Sequence, residues 1–286
     1  MSKLLLHARG ARIAAVAGAI VVGLLAVAAG GGAQSQATTI RLIATMNAPS
    51  EVPAPTGDVS AAVGAFTATA TQNGTGANLD WSMTFTGLTG SGTAAHIHVA
   101  PRGTPGPVVV PLCAPCTSPA SGTASVDATV LAALQTGGAY VNVHTDRNRG
   151  GEIRGQVGIA APIRAALTSR LEVPKPKGNV KRATGALVAT VTKEGTAGAI
   201  TWRLTFARLT GPALAAHIHI GRAGRAGPVA VPLCGPCRSG QRGSAVVNAA
   251  TLAALETGRA YVNIHTRRNP AGEVRGQIPA AAFRTE

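Results

Sequence analysis

A chain of 286 residues with 45% hydrophobic side chains is long enough for two domains of ordinary size, and its 36 glycines and 18 prolines set aside a mainly helical fold for an all-β one. Aromatic residues make up only 3%, so any core is built from Val, Ala, Leu and Ile around one tryptophan per half. The net charge of +15 is uneven: residues up to Ala37 carry +3, Thr38 to Ile159 carries −1, and Ala160 onward carries +13.

Residues 1–37 read as a signal peptide or an N-terminal membrane anchor. Lys3, Arg9 and Arg12 precede a 17-residue apolar run, Ile13 to Ala29, and then small residues that offer cleavage after Ala33 or Ala37. The run is long for a signal core and short for a spanning helix, so both readings stay open. In either case the remainder is exported, to the cell surface, the periplasm or the medium.

Beyond the leader the chain is written twice. A shift of 121 positions superposes His96 on His217, Trp81 on Trp202, Cys113 on Cys234, Tyr140 on Tyr261 and His144 on His265, with no gap between Leu42 and Gly158. Two domains follow, 38–159 and 160–286, with almost no linker. Of seven histidines only His7 lies outside the repeat.

Within one copy, Glu51 is followed by a run from Ala65 to Thr71 that alternates small apolar residues with threonine. Asn73-Gly74 then signals a hairpin, with Glu194-Gly195 in the second copy. The returning strand alternates Leu79, Trp81, Met83 and Phe85, expected inside, with Asp80, Ser82, Thr84 and Thr86, expected in water. Next comes Ala95-His96-Ile97-His98-Val99, whose alternation puts Ala95, Ile97 and Val99 on the core face and both histidines on the other.

A loop rich in Gly and Pro leads to the cysteines. Cys113-Ala-Pro-Cys116 and Cys234-Gly-Pro-Cys237 superficially match a thioredoxin-type redox motif, but they follow Pro-Leu rather than opening a helix after a strand. In an oxidising compartment four cysteines allow three pairings, and repeat symmetry favours disulfides Cys113–Cys116 and Cys234–Cys237.

Asp127 and Asn248 are expected to cap short helices that stop at Gly137 and Gly258. Two strands close the copy. Alternation sends Tyr140, Asn142 and His144, and then Glu152, Arg154 and Gln156, to the face opposite the core. If these strands neighbour the histidine strand, one sheet face collects all of these polar groups with His96 and His98.

His96-Ile-His98, Gly106-Pro-Val-Val, Tyr140-Val-Asn-Val-His-Thr145 and Gly151-Glu-Ile-Arg-Gly-Gln156 together resemble the chordin-type (CHRD) domain, and the second copy repeats the pattern through Asn269 to Gln277. The first copy departs from that pattern only in loops, at Arg147 to Gly150 and Pro101 to Gly103. The resemblance implies an extracellular β-sandwich module, here in tandem, Ig-like or superoxide-dismutase-like, each with one short helix. It implies no reaction and no ligand. The His-x-His strand is also similar to the copper-binding strand of Cu/Zn superoxide dismutases.

Two functions compete. One is a non-catalytic binding or structural module whose histidines are hydrogen-bonded on a polar sheet face, with Glu152 and Arg154 in cross-strand pairs. The other is a copper or zinc protein with one three-histidine site per repeat, His96, His98 and His144, then His217, His219 and His265, with Asn142 or Glu152 orienting the ligands. No Ser/His/Asp triad can be argued, so the residues favour a protein that is not an enzyme. The basic second copy is expected to meet an anionic polymer or lipid surface through Lys175, Lys177, Lys181, Arg182, Arg222, Arg225, Arg238, Arg242, Arg267 and Arg268. A membrane would otherwise be met only through an uncleaved leader, and no protein partner is specified.

Overall fold

The computed structural model describes residues 38–283, so the leader and the expectations placed on it lie outside the described residues. Among the described residues no helix is long and apolar enough to cross a membrane. The first copy contains β1 (Thr39–Asn47), β2 (Val63–Asn73), β3 (Gly76–Thr86), β4 (Gly92–Val99), β5 (Val108–Cys113), β6 (Ala120–Val126), α1 (Ala128–Thr136), β7 (Ala139–Thr145) and β8 (Ile153–Gln156). A joining strand, β9 (Gly158–Thr168), leads into β10 (Thr184–Glu194), β11 (Ala197–Ala207), β12 (Ala213–Ile220), β13 (Val229–Cys234), β14 (Gln241–Val247), α2 (Ala249–Glu256), β15 (Ala260–Thr266) and β16 (Val274–Ile278).

Each copy is an antiparallel sandwich. In the first, one layer runs β6-β3-β2-β1 and the other β5-β4-β7-β8, and the layers meet where Asn47 of β1 pairs with Arg154 of β8. The second repeats this as β14-β11-β10-β9 and β13-β12-β15-β16, meeting where Thr168 pairs with Arg275. The β2–β3 turn is Gly74-Thr75, with Gly74 at φ +56°, a conformation that glycine adopts without steric cost.

Alternation decides the inside. Leu79, Trp81 and Met83 are buried while Asp80, Ser82 and Thr84 are exposed, and β1 likewise buries Ile40, Leu42, Ala44 and Met46. Each fully buried Leu or Ile contributes roughly 1.5–3 kcal/mol, which offsets a core this poor in aromatics. Asp127 accepts a hydrogen bond from the Val130 N–H and Asn248 from the Thr251 N–H, as helix caps should.

The repeat junction falls inside β9. Gly158 and Ile159 pair with Ile43 and Leu42 of β1, while Ile159 to Thr168 pair with Lys193 to Thr184 of β10. All sixteen strands are therefore hydrogen-bonded into one set. The cores stay distinct, one from Ile40 to Ile159 and one from Ala161 to Ala281, with Phe283 packed against both. Arg102 of the first copy forms an ion pair with Glu194 of the second.

Candidate metal centre

The histidine strand lies beside β7. His96 pairs with Asn142 and His98 with Tyr140, so His144, two residues beyond Asn142, stands diagonally next to His96 on the same face. His96 Nδ1 lies 3.1 Å from His144 Nε2, and one ring nitrogen from each of His96, His98 and His144 falls within 4.8 Å of the others. The second copy repeats the arrangement: His217 Nδ1 is 3.1 Å from His265 Nε2, and His219 completes the group.

Backbone carbonyls fix the tautomers. His98 Nδ1 is 2.9 Å from the Gly106 carbonyl, and His144 Nδ1 is 2.8 Å from that of Arg149. A carbonyl can only accept, so each Nδ1 carries the proton and each Nε2 in the neutral ring is a lone pair. His98 Nε2 is buried and has no hydrogen-bond partner. In the second copy the carbonyls of Gly227 and Pro270 hold His219 and His265 at 2.9 Å each, and His219 Nε2 is again buried without a partner.

Burial also keeps the rings neutral. Desolvation, and then the neighbouring imidazoles, lower the pKa of His96 and His217 below the ordinary histidine value. Burial lowers His144, His219 and His265 in the same direction, against the opposing pull of their carbonyl bonds. Neutral imidazole is the form that binds a metal ion.

The polar face is covered rather than open. His98, Tyr140, Asn142, Glu152, Arg154 and Gln156 are all buried, while His96 and His144 keep partial access. The cause is a cover of loops whose backbone the polar groups engage. Gln156 donates to the carbonyls of Ala100 and Gly137, and Arg154 to that of Pro101. The Tyr140 hydroxyl accepts from the Gly106 N–H, whose carbonyl holds His98. A Cβ on Gly106 would lie 2.2 Å from the Val99 carbonyl oxygen, so only glycine lets this loop approach.

Two assigned roles also change. Among the described residues Arg154 forms no ion pair with a cross-strand neighbour. Its guanidinium lies 3.4 Å from the Tyr140 ring centroid, and His98 stacks parallel to the same ring at 4.7 Å. Two groups that close must occupy opposite faces, giving a His98–Tyr140–Arg154 stack that sets the imidazole plane. His219, Tyr261 and Arg275 repeat it.

Glu152 does not orient a histidine. It accepts hydrogen bonds from the Thr89 N–H and hydroxyl, from Thr145 and from Asn148, latching two loops. Burial pushes its carboxyl up, but these bonds outweigh that and hold it below the ordinary range. Glu51, unassigned from sequence, is buried with its pKa raised by desolvation, and its counterpart Glu172 is pushed up to about 6. Both lie near buried arginines, Arg154 and Arg275, which pull the other way. Asn142 is placed between Glu51 and the histidine face, as its near approach to Glu51 beside Gly151 indicates.

Disulfides join Cys113 to Cys116 and Cys234 to Cys237. The first cysteine of each pair ends a strand, and Cys113 pairs with Ala95, directly beside His96. The Cys116 N–H donates to the Gly92 carbonyl, tying the bridge to the start of the histidine strand.

The sequence pattern of the CHRD domain matches residues 42–157 and again residues 163–278. No curated protein and no solved structure matches the chain.

Proposed function

The chain belongs to the CHRD domain family twice over, and from that premise we propose that each module binds one copper or zinc ion through its three histidines. The carrying observation is the tautomer arrangement: in both copies two Nδ1–H groups are held by backbone carbonyls, the Nε2 of His144 and of His265 lies 3.1 Å from the third imidazole, and one ring nitrogen of His98 and of His219 falls within 4.8 Å of the other two. Ligating histidines characteristically donate their other nitrogen to a carbonyl in this way. Three neutral nitrogens with no thiolate or carboxylate beside them suit zinc or copper rather than calcium or magnesium. His96 and His144 keep partial access, so water or an external ligand can reach a fourth position. The family and the two disulfides fit an exported protein working in an oxidising compartment.

A second reading rests on the same bonds: His98 and His144 also pin the loops at Gly106 and Arg149, so the module could hold a non-metal partner on a face stabilised by histidine. Equilibrium dialysis against zinc or copper, followed by metal analysis, separates the two. Binding close to two ions per chain, falling to one in His96→Ala/His98→Ala, supports the metal reading. Uptake near zero, or unchanged stoichiometry in the double variant, leaves the loop-pinning reading.

A further inference from the structure

The outer face of β9-β10-β11-β14 carries an arginine row that the first copy lacks. In register across the four strands stand Arg164, Val188, Arg203 and Arg242, all exposed. Arg203 and Arg242 are direct cross-strand partners, an arrangement that like charges disfavour. Among the described residues none of the three guanidinium groups has an ion pair or hydrogen bond, and these four strands place no carboxylate on this face beside them. The corresponding positions in the first copy are Ile43, Thr67, Ser82 and Ser121, so the sandwich forms without the charges.

The row borders a shallow concavity of about 520 Å³, floored by Val188, Thr190 and Thr201. We propose that this trough is a binding site for an acidic polysaccharide. Guanidinium groups pair with carboxylate or sulfate oxygens, the threonine hydroxyls suit sugar hydroxyls, and Val188 offers an apolar patch to the C–H face of a pyranose. A nucleic acid strand would want aromatic platforms, and the tryptophan here, Trp202, is buried against the core. A bilayer presents its headgroups as a plane, whereas an extended polymer can follow a row of charges that crosses four strands. The site is independent of the histidines, which lie on the other layer of the sandwich.

The test is calorimetric titration of residues 38–286 with a heparin decasaccharide at low salt, alongside neutral dextran, a DNA duplex and phosphatidylglycerol vesicles. Wild-type protein binds the decasaccharide and not dextran. Replacing the row with the first copy's residues, Arg164→Ile/Arg203→Ser/Arg242→Ser, weakens binding at least tenfold. It also lowers the slope of log affinity against log salt by about two, one counterion released per neutralised charge at roughly 0.7–0.9 each. Arg203→Ser alone weakens binding about threefold, which keeps the test open should the triple variant fold poorly. Arg222→Ser/Arg225→Ser, in a loop elsewhere on the copy, leaves affinity within about twofold. The proposal is overturned by triple-variant binding equal to wild type, by the loss falling on the loop variant, or by DNA or vesicles binding as tightly with the same dependence on the three arginines.

Discussion

A histidine whose Nδ1–H is held by a backbone carbonyl has its other nitrogen committed as a lone pair, and His98, His144, His219 and His265 are all in that state. Burial lowers the pKa of His144, His219 and His265, and that direction defines a pH dependence. A histidine pKa lowered by burial leaves the ring neutral over a wider range, so the stability it contributes is full above about 6.5 and is lost as pH falls through its depressed value. Protons therefore compete with a bound ion only below 6.5, and zinc occupancy followed by chelator competition should reach its midpoint under that pH. A midpoint above 6.5 would mean that the rings are not desolvated as the structure has them. Alternation along the strand was enough to place His96 and His98 on one face and His144 on the matching face of another. It could not reveal that this face is covered, because the cover is made by loops around Pro101, Gly106 and Arg149, whose paths follow no period. Nor did spacing mark Glu152 as a loop latch, since its partners Thr89, Thr145 and Asn148 meet only once the loops have folded over.

Among the elements, the strand from Leu79 to Phe85, the hairpin after Asn73 and the two capped helices were legible because each has a local cause: period-two burial, a turn glycine, a side chain that accepts from the N3 amide. The neighbouring of β4, β7 and β8 was an assumption from sequence, since pairing order depends on contacts distant along the chain. The observed register brings His96 opposite Asn142 and Asn142 opposite Arg154. The loop after β4 is the element on which the site most depends. Gly106 meets Tyr140 through its N–H and His98 through its carbonyl, and has no room for a side chain. Gly106→Ala should displace this loop, lower stability by about 1–3 kcal/mol and weaken zinc binding at the first copy tenfold or more while sparing the second. Zinc titration of the variant checks this; two equal, unweakened sites would separate the loop from the ligand geometry.

At the scale of the whole molecule, the 121-residue offset predicted two copies without a linker, and β9 realises this by belonging to both sheets. What the offset could not reveal is that the sheets join edge to edge, because the pairing of Ile159 with both Leu42 and Lys193 exists only in the tandem. The cores are nonetheless distinct, and a fragment from Ala160 to Glu286 retains every β9 residue equivalent to β1. That fragment should give a dispersed amide spectrum, with a melting midpoint below that of the full chain because the pairing with β1 and the Arg102–Glu194 ion pair are gone. A collapsed spectrum would mean the copies depend on one another to fold. The charge imbalance was visible as a sum, but its concentration in the Arg164, Arg203 and Arg242 row required the strand register. The central claim, an ion held by three imidazoles in each copy, is tested most directly by the ring ¹⁵N resonances of the histidines before and after zinc is added. The structure predicts Nδ1–H tautomers for His98, His144, His219 and His265 in the metal-free protein, and large shifts of their Nε2 signals, saturating at two ions per chain, with Nδ1–H retained. Ring nitrogens of these residues that do not move with zinc would contradict it.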